Sequence, residues 1–192
     1  MIQCMNLSQA DLDRIGAQVA EAFLAEEGCF SVLPMEVAQR MFTIIVETCY
    51  ETGHLYTTSP AQEGFCVYWT KAERPGLKPQ LRMMVKMLKS LPLKAGKVLM
   101  DGQNHWKPTE KRYKKRADYV EVFLLVVRRE YQGQGYFRQM LEEPFALAAA
   151  RNTICVLDTD AKGKAEKYCH VGMHVVESRV QRSGIEMFAL ER

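Results

Sequence analysis

Gln132-Gly133-Gln134-Gly135 follows an apolar run, Val120–Val127, and precedes residues with helical periodicity. A buried strand, a glycine turn and a helix start in that order make an anion cradle. Backbone N–H groups released at the turn and at the helix N-terminus converge on one spot, and the helix dipole adds positive potential there. Downstream, Leu157-Asp158-Thr159, Lys164 and Tyr168 add a strand end, a cation and a phenol that can donate a proton. Glu121, at the start of the Val120–Val127 run, is a carboxylate, a residue type able to accept one. Tyr119, His105, Glu26 and Glu27 are weaker candidates for that task, and His174 reads as a surface or strand histidine.

The elements that must position these groups follow from periodicity. Ser8 with Asp11 resembles a helix start, although a capping box proper would carry Glu or Gln at the later position. Leu12, Ile15, Val19, Ala22 and Phe23 carry that helix to about Ala25, and Pro34 opens a second with Val37, Met41, Ile44 and Ile45 on one face. Strands are expected near His54–Thr58 and Glu63–Thr70. Between 71 and 118 the chain is least regular: Pro75-Gly76 and Pro79 mark loops, and Leu81–Leu91 forms a Met-rich helix. A helix from Gly135 to about Ala150 is expected to kink at Pro144, which lacks an N–H. Thr153–Thr159 reads as a strand and Lys162–Val171 as a short helix. His174–Val180 and Ile185–Leu190 form a hairpin closed by Gln181-Arg182-Ser183-Gly184. This order predicts one α/β (α+β) domain over 1–192, a mixed central sheet flanked by helices.

Composition narrows the partners. A hydrophobic content of 47% with 26% charged residues is that of a globular domain, and a net charge of +3 is too small to imply nucleic acid. Residues 107–116 hold six basic side chains and one acidic, a solvated loop or a lip that attracts an anion. The six cysteines show no CxxC pair and no metal spacing. Several lie in apolar runs and read as buried hydrophobes in a reducing cytoplasm. No run approaches membrane-spanning length, so neither membrane nor metal is expected.

The glycine turn resembles the pyrophosphate signature of the GCN5-related N-acetyltransferases (GNATs): Gln or Arg, two residues of any type, Gly, any residue, then Gly or Ala. Gln132 and Gly135 match it, and Phe137 stands at the small position, so packing at the first helical turn must differ. Leu157-Asp158-Thr159, Lys164 and Tyr168–Met173 are similar to the family's second block, with Ala161 and Lys164 in place of its asparagines. Leu141-Glu142-Glu143-Pro144 and Ala22-Phe23 resemble the puromycin-acetyltransferase-like branch.

The resemblance implies a cofactor core at about 119–175, a variable insertion at 71–118, and a sheet splayed at the strand before the turn. It implies acetyl-CoA as donor, CoA as product and direct transfer to a primary amine of a small molecule or peptide. The implied cofactor contacts are Leu125, Val126 and Val127 by backbone, Gln132, Gly133, Gln134, Gly135, Tyr136, Phe137 and Arg138 in the turn, and Lys164. Tyr168 is the implied acid and Glu121 the candidate base. A homodimer is compatible with it. A non-catalytic acyl-CoA-binding or regulatory domain on the same fold is the alternative.

Overall fold

A computed structural model of the chain describes residues 1–26, 28–93, 95–96, 111–181 and 184–192. Glu27, His105, the Lys107–Glu110 part of the basic run and the Arg182-Ser183 turn residues lie outside them. The order is β1 (Ile2–Gln3), α1 (Gln9–Leu24), α2 (Met35–Glu51), β2 (Leu55–Thr57), β3 (Gly64–Thr70), α3 (Leu77–Ser90), β4 (Val120–Val127), a 3-10 turn (Arg129–Tyr131), α4 (Tyr136–Ala150), β5 (Cys155–Asp160), α5 (Lys162–His170), β6 (His174–Val180) and β7 (Glu186–Glu191).

The start of α1 departs from expectation in its chemistry. Ser8 Oγ accepts the Asp11 N–H at 3.2 Å, and the Asp11 carboxylate accepts the Ser8 N–H at 3.0 Å, so the shorter aspartate closes a full capping box. α3 begins four residues earlier than the expected Leu81, and none of its residues is buried. Pro144 does not break α4, which runs through it as one helix. Five cysteines are buried, among them Cys66 and Cys155 as their apolar runs imply, while Cys169 is exposed; all six are free thiols.

The strands form a sheet in the order β1-β2-β3-β4-β5-β7-β6. One face packs Phe65, Val67, Trp69, Leu124 and Val126 against Ile15 and Val19 of α1 and Met41 and Phe42 of α2. The other packs Cys66, Tyr68, Val122 and Val127 against Met140 and Leu141 of α4 and Ala165 of α5. With both faces covered, β3 and most of β4 are buried along their length, which is why their sequences read as continuous apolar runs.

β4 and β5 are parallel, and they pair only at Val120↔Cys155 and Glu121↔Val156. Beyond that point β5 stays with β7, through Asp160↔Met187, while β4 stays with β3, through Val127↔Gly64. The sheet therefore forks after Glu121. A bulge opens at the same level: Val67 opposes Leu124 and Tyr68 opposes Val122, leaving Phe123 as the extra residue of β4.

Candidate functional site

The turn after β4 is held from below. The Arg128 N–H donates to the Glu63 carbonyl at 2.9 Å, and its guanidinium donates to the Ala61 and Gln62 carbonyls, fastening the turn to the β2–β3 connection. Gln132 Nε2 donates to the Val127 carbonyl at 3.2 Å, and Gln134 Nε2 donates to the Glu130 carbonyl at 3.0 Å. Both glutamine side chains thus brace the turn from within. Gly133 has φ +76° and Gly135 φ +89°, and a Cβ at either would meet no atom within 4 Å, so it is the backbone conformation that requires glycine. Gly135 is the N-cap of α4 and offers no side-chain cap, and the first turn carries no acid. The opening N–H groups of α4 therefore remain available to an anion, with the dipole behind them.

A cavity of about 420 Å³ extends from this turn into the fork, within the range of small-ligand sites. Leu125, Val126 and Val127 form one wall, Tyr131, Gln132, Gly133, Gly135, Tyr136 and Phe137 the rim, and Ala22, Phe23 and Glu26 the end nearest α1. Thr159, Lys164, Lys167 and Tyr168 close the far side. The sequence-predicted residues brought together are thus Leu125–Val127, Gln132, Gly133, Gly135–Phe137, Lys164 and Tyr168. Gln134 and Arg138 are exposed and lie outside the lining. Tyr131, Thr159 and Lys167 were missed. Thr159 was within reach, as the last residue of the strand-end triplet, whereas nothing local marks the other two.

Tyr168 lies against Phe137, ring centroids 5.0 Å apart. Burial, reinforced by the nearby Cys66, Asp160 and Glu26, pushes its phenol well above the ordinary tyrosine value, so it carries its proton throughout the neutral range. Lys164 Nζ pairs with Asp160 Oδ1 at 2.8 Å and lies 5.4 Å from the centre of the Phe23 ring. The other oxygen of Asp160 accepts the Cys29 N–H at 2.6 Å. Lys167 Nζ meets Glu26 at 2.5 Å. These contacts tie the α1–α2 connection to α5 across the cavity mouth.

Glu121 occupies the root of the fork, outside the cavity lining. Its carboxylate accepts the Trp69 indole N–H at 2.8 Å and the Tyr113 hydroxyl at 3.2 Å, and pairs with Arg74 at 3.4 Å. Tyr119 is buried against Tyr113. His174 is exposed at the start of β6, the edge strand on the far side of β7. Of the weaker base candidates within the described residues, Glu26 alone reaches the cavity.

No protein-family model matches the chain, and no curated protein matches it. Solved structures do. Arylalkylamine N-acetyltransferase 2 from Aedes aegypti superposes with a TM-score of 0.59 at 12% identity, covering 98% of this chain and 96% of that one. A Drosophila melanogaster polyamine N-acetyltransferase, which forms N-acetylagmatine, gives 0.60 at 11%, covering 97% and 98%. An N-acetyltransferase from Staphylococcus aureus Mu50 gives 0.58 at 15%, covering 96% and 97%. The fold is that of the GNAT acetyltransferases, as expected from the turn and the block around Tyr168.

Proposed function

We propose that the protein is an N-acetyltransferase that moves an acetyl group from acetyl-CoA directly to a primary amine of a small molecule or peptide. The observation that carries this reading is the coincidence, in one cavity, of the Gly133–Gly135 cradle, the β4 edge released by the fork, and Tyr168. The cavity suits a long thioester: the N-terminus of α4 takes the pyrophosphate, and Leu125–Val127 offer backbone groups to the pantetheine arm. Among the described residues no helix is long and apolar enough to cross a membrane. All six thiols are free, which supports a place in the reducing cytoplasm. Leu141–Pro144 in α4 and Ala22-Phe23 in α1 support a place near the puromycin-acetyltransferase-like branch.

The reaction forms one bond, amine nitrogen to acyl carbon, and breaks one, acyl carbon to sulfur. The N–H of Leu125 or Val126, on the edge that β5 has left, stabilises negative charge developing on the carbonyl oxygen. The Tyr168 hydroxyl gives its proton to the departing sulfur, and the proton lost by the amine returns through solvent. No cysteine lines the cavity, in keeping with direct transfer rather than an acyl-cysteine route. Glu121, engaged by Trp69, Tyr113 and Arg74, holds the root of the fork. A base role for it predicts that Glu121→Gln lowers kcat at least 10²-fold, whereas a holding role predicts a change in acceptor KM.

The test pairs binding with turnover. Acetyl-CoA should raise the melting midpoint by mass action, and thiol should be released when an amine panel is added. Absence of any shift with acetyl-CoA, CoA or longer acyl-CoAs sinks the reading. Phe137, packed on Tyr168, favours one other, a non-catalytic acyl-CoA-binding domain. A midpoint shift without thiol release under any amine would select it.

A further inference from the structure

Phe123 stands apart from its neighbours in β4. It lies just past the point where β5 leaves the strand; Val122 and Leu124 are still each 5% exposed, whereas Phe123 is 44% exposed. The bulge turns it out of the ladder, and its ring lies against the buried indole of Trp69, centroids 5.0 Å apart and planes 30° apart. Trp69 is fixed in turn, because its N–H is held by Glu121, which is itself held by Tyr113 and Arg74. The result is an aromatic ring open to solvent beside the fork and backed by a buried, hydrogen-bonded indole.

Its position gives it a use. Trp69 belongs to the cluster on the α1 and α2 side of the sheet, whereas Tyr136, Phe137 and Tyr168 pack in the cluster on the α4 and α5 side. Leu125, two residues beyond Phe123 and roughly 7 Å along the strand, lines the cavity. The aromatic surface therefore lies across the sheet from the anion cradle and next to the strand end assigned to the acyl group. That is the side from which a nucleophile can approach.

Resting on the transferase reading above, we propose that Phe123, backed by Trp69, is the floor of the acceptor subsite, and that the acceptor is an amine carried on an aromatic ring. The selection is made by ring stacking and apolar contact. Glu121, two residues before Phe123, is engaged by its own donors and acts as a positioning residue for Trp69. Phe123 is the specificity-determining residue.

The experiment uses Trp69 as its own reporter. The chain has two tryptophans, and Trp106→Phe leaves Trp69 alone. In that background, with saturating CoA, 2-phenylethylamine and n-hexylamine are titrated against Trp69 fluorescence, and thiol release from acetyl-CoA is followed with both. 2-Phenylethylamine should perturb Trp69 at about tenfold lower concentration than hexylamine and show about tenfold higher kcat/KM, through KM. Phe123→Ala should erase that preference and leave the KM for acetyl-CoA within about twofold. Phe123→Leu, which keeps apolar volume and an unaltered melting curve, should erase it as well. Equal response to both amines, or a Phe123 variant that weakens both equally, overturns the subsite even if transfer proceeds. A selective Trp69 response with no thiol release leaves the subsite standing and refutes the transferase reading instead.

Discussion

Gly135→Ala separates the ligand-holding role of the turn from its structural one. At φ +89° the residue occupies the left-handed region, where an L side chain costs about 1–2 kcal/mol. Alanine also stiffens the unfolded chain, returning about 0.4–1 kcal/mol to the folded state. No atom lies within 4 Å of the added Cβ, so no clash is added. The net cost is on the order of 1 kcal/mol, a drop in melting midpoint of about 2–4 °C for a chain of this size.

Binding should suffer more. If alanine relaxes the turn toward negative φ, the N–H groups at the start of α4 no longer converge. Acetyl-CoA at 100 times Kd stabilises the native protein by about 2.7 kcal/mol, roughly 5–11 °C. A tenfold loss of affinity removes about 1.4 kcal/mol of that, shrinking the shift by roughly 3–6 °C. Differential scanning fluorimetry with and without acetyl-CoA reads both quantities, and Gly135→Asn, whose side chain tolerates the left-handed region, should recover part of each. An alanine variant with an undiminished ligand shift would refute the claim that this backbone conformation aims the cradle.

Tyr168→Phe keeps the ring beside Phe137 and deletes the proton, so kcat should fall about 10²-fold with the acetyl-CoA KM unchanged; an unchanged kcat would remove Tyr168 from the chemistry. Burial pushes the Cys49 and Cys155 thiols up to about 12. They stay protonated in the folded chain while the unfolded chain ionises above pH 9, so stability is full below pH 9 and is lost as pH rises toward 12, by about 1.4 kcal/mol per thiol per pH unit. Melting curves from pH 8 to 11 should show that decline, and Cys49→Ala should flatten it; an identical slope would show that Cys49 contributes nothing. Ala161, the N-cap of α5, is held at φ +65° and ψ +138°, a conformation that costs a non-glycine residue about 1–3 kcal/mol. Glycine also loosens the unfolded chain, which takes back about 0.4–1 kcal/mol, so for a net gain on the order of 1 kcal/mol Ala161→Gly should raise the midpoint by about 2–4 °C, and a lowered midpoint would show that the alanine is unstrained.

What could be read from the sequence was whatever chemistry sits close together along the chain. The strand, glycine turn and helix are contiguous, so their residue types placed the cradle, while the family resemblance picked out Lys164 and Tyr168, one helical turn apart. The fork and the bulge were illegible as local features, because Val120–Val127 is an apolar run whether or not its edge is paired. Only the family resemblance implied the splay, and nothing pointed to Phe123. Glu121 draws its partners from Trp69, Arg74 and Tyr113, and Lys167 finds Glu26 across 141 positions; such pairings exist only after folding. Pro79 was misread as a loop signal. It is the third residue of α3, where the N–H it lacks would have had no intrahelical partner.

The fork leaves β4 carrying a deficit along the edge that β5 abandons after Glu121. A backbone polar group shut away from water without a partner costs about 1–3 kcal/mol, so an unliganded fork persists only if the rest of the fold supports it. Support comes from both ends. Glu121 fastens the root through Trp69, Tyr113 and Arg74, while Asp160 binds both Lys164 and the Cys29 N–H beside the cavity. Neither fastening uses the β4 backbone at Leu125 and Val126 on the edge turned away from β3, which is the edge the proposed reading assigns to the ligand. The same arrangement puts two aromatic surfaces on opposite sides of the sheet: Phe137 and Tyr168 on the α4 and α5 side, Phe123 and Trp69 on the α1 and α2 side. On the proposed reading, the main chain of the single strand between them, rather than its side chains, is the reactive surface.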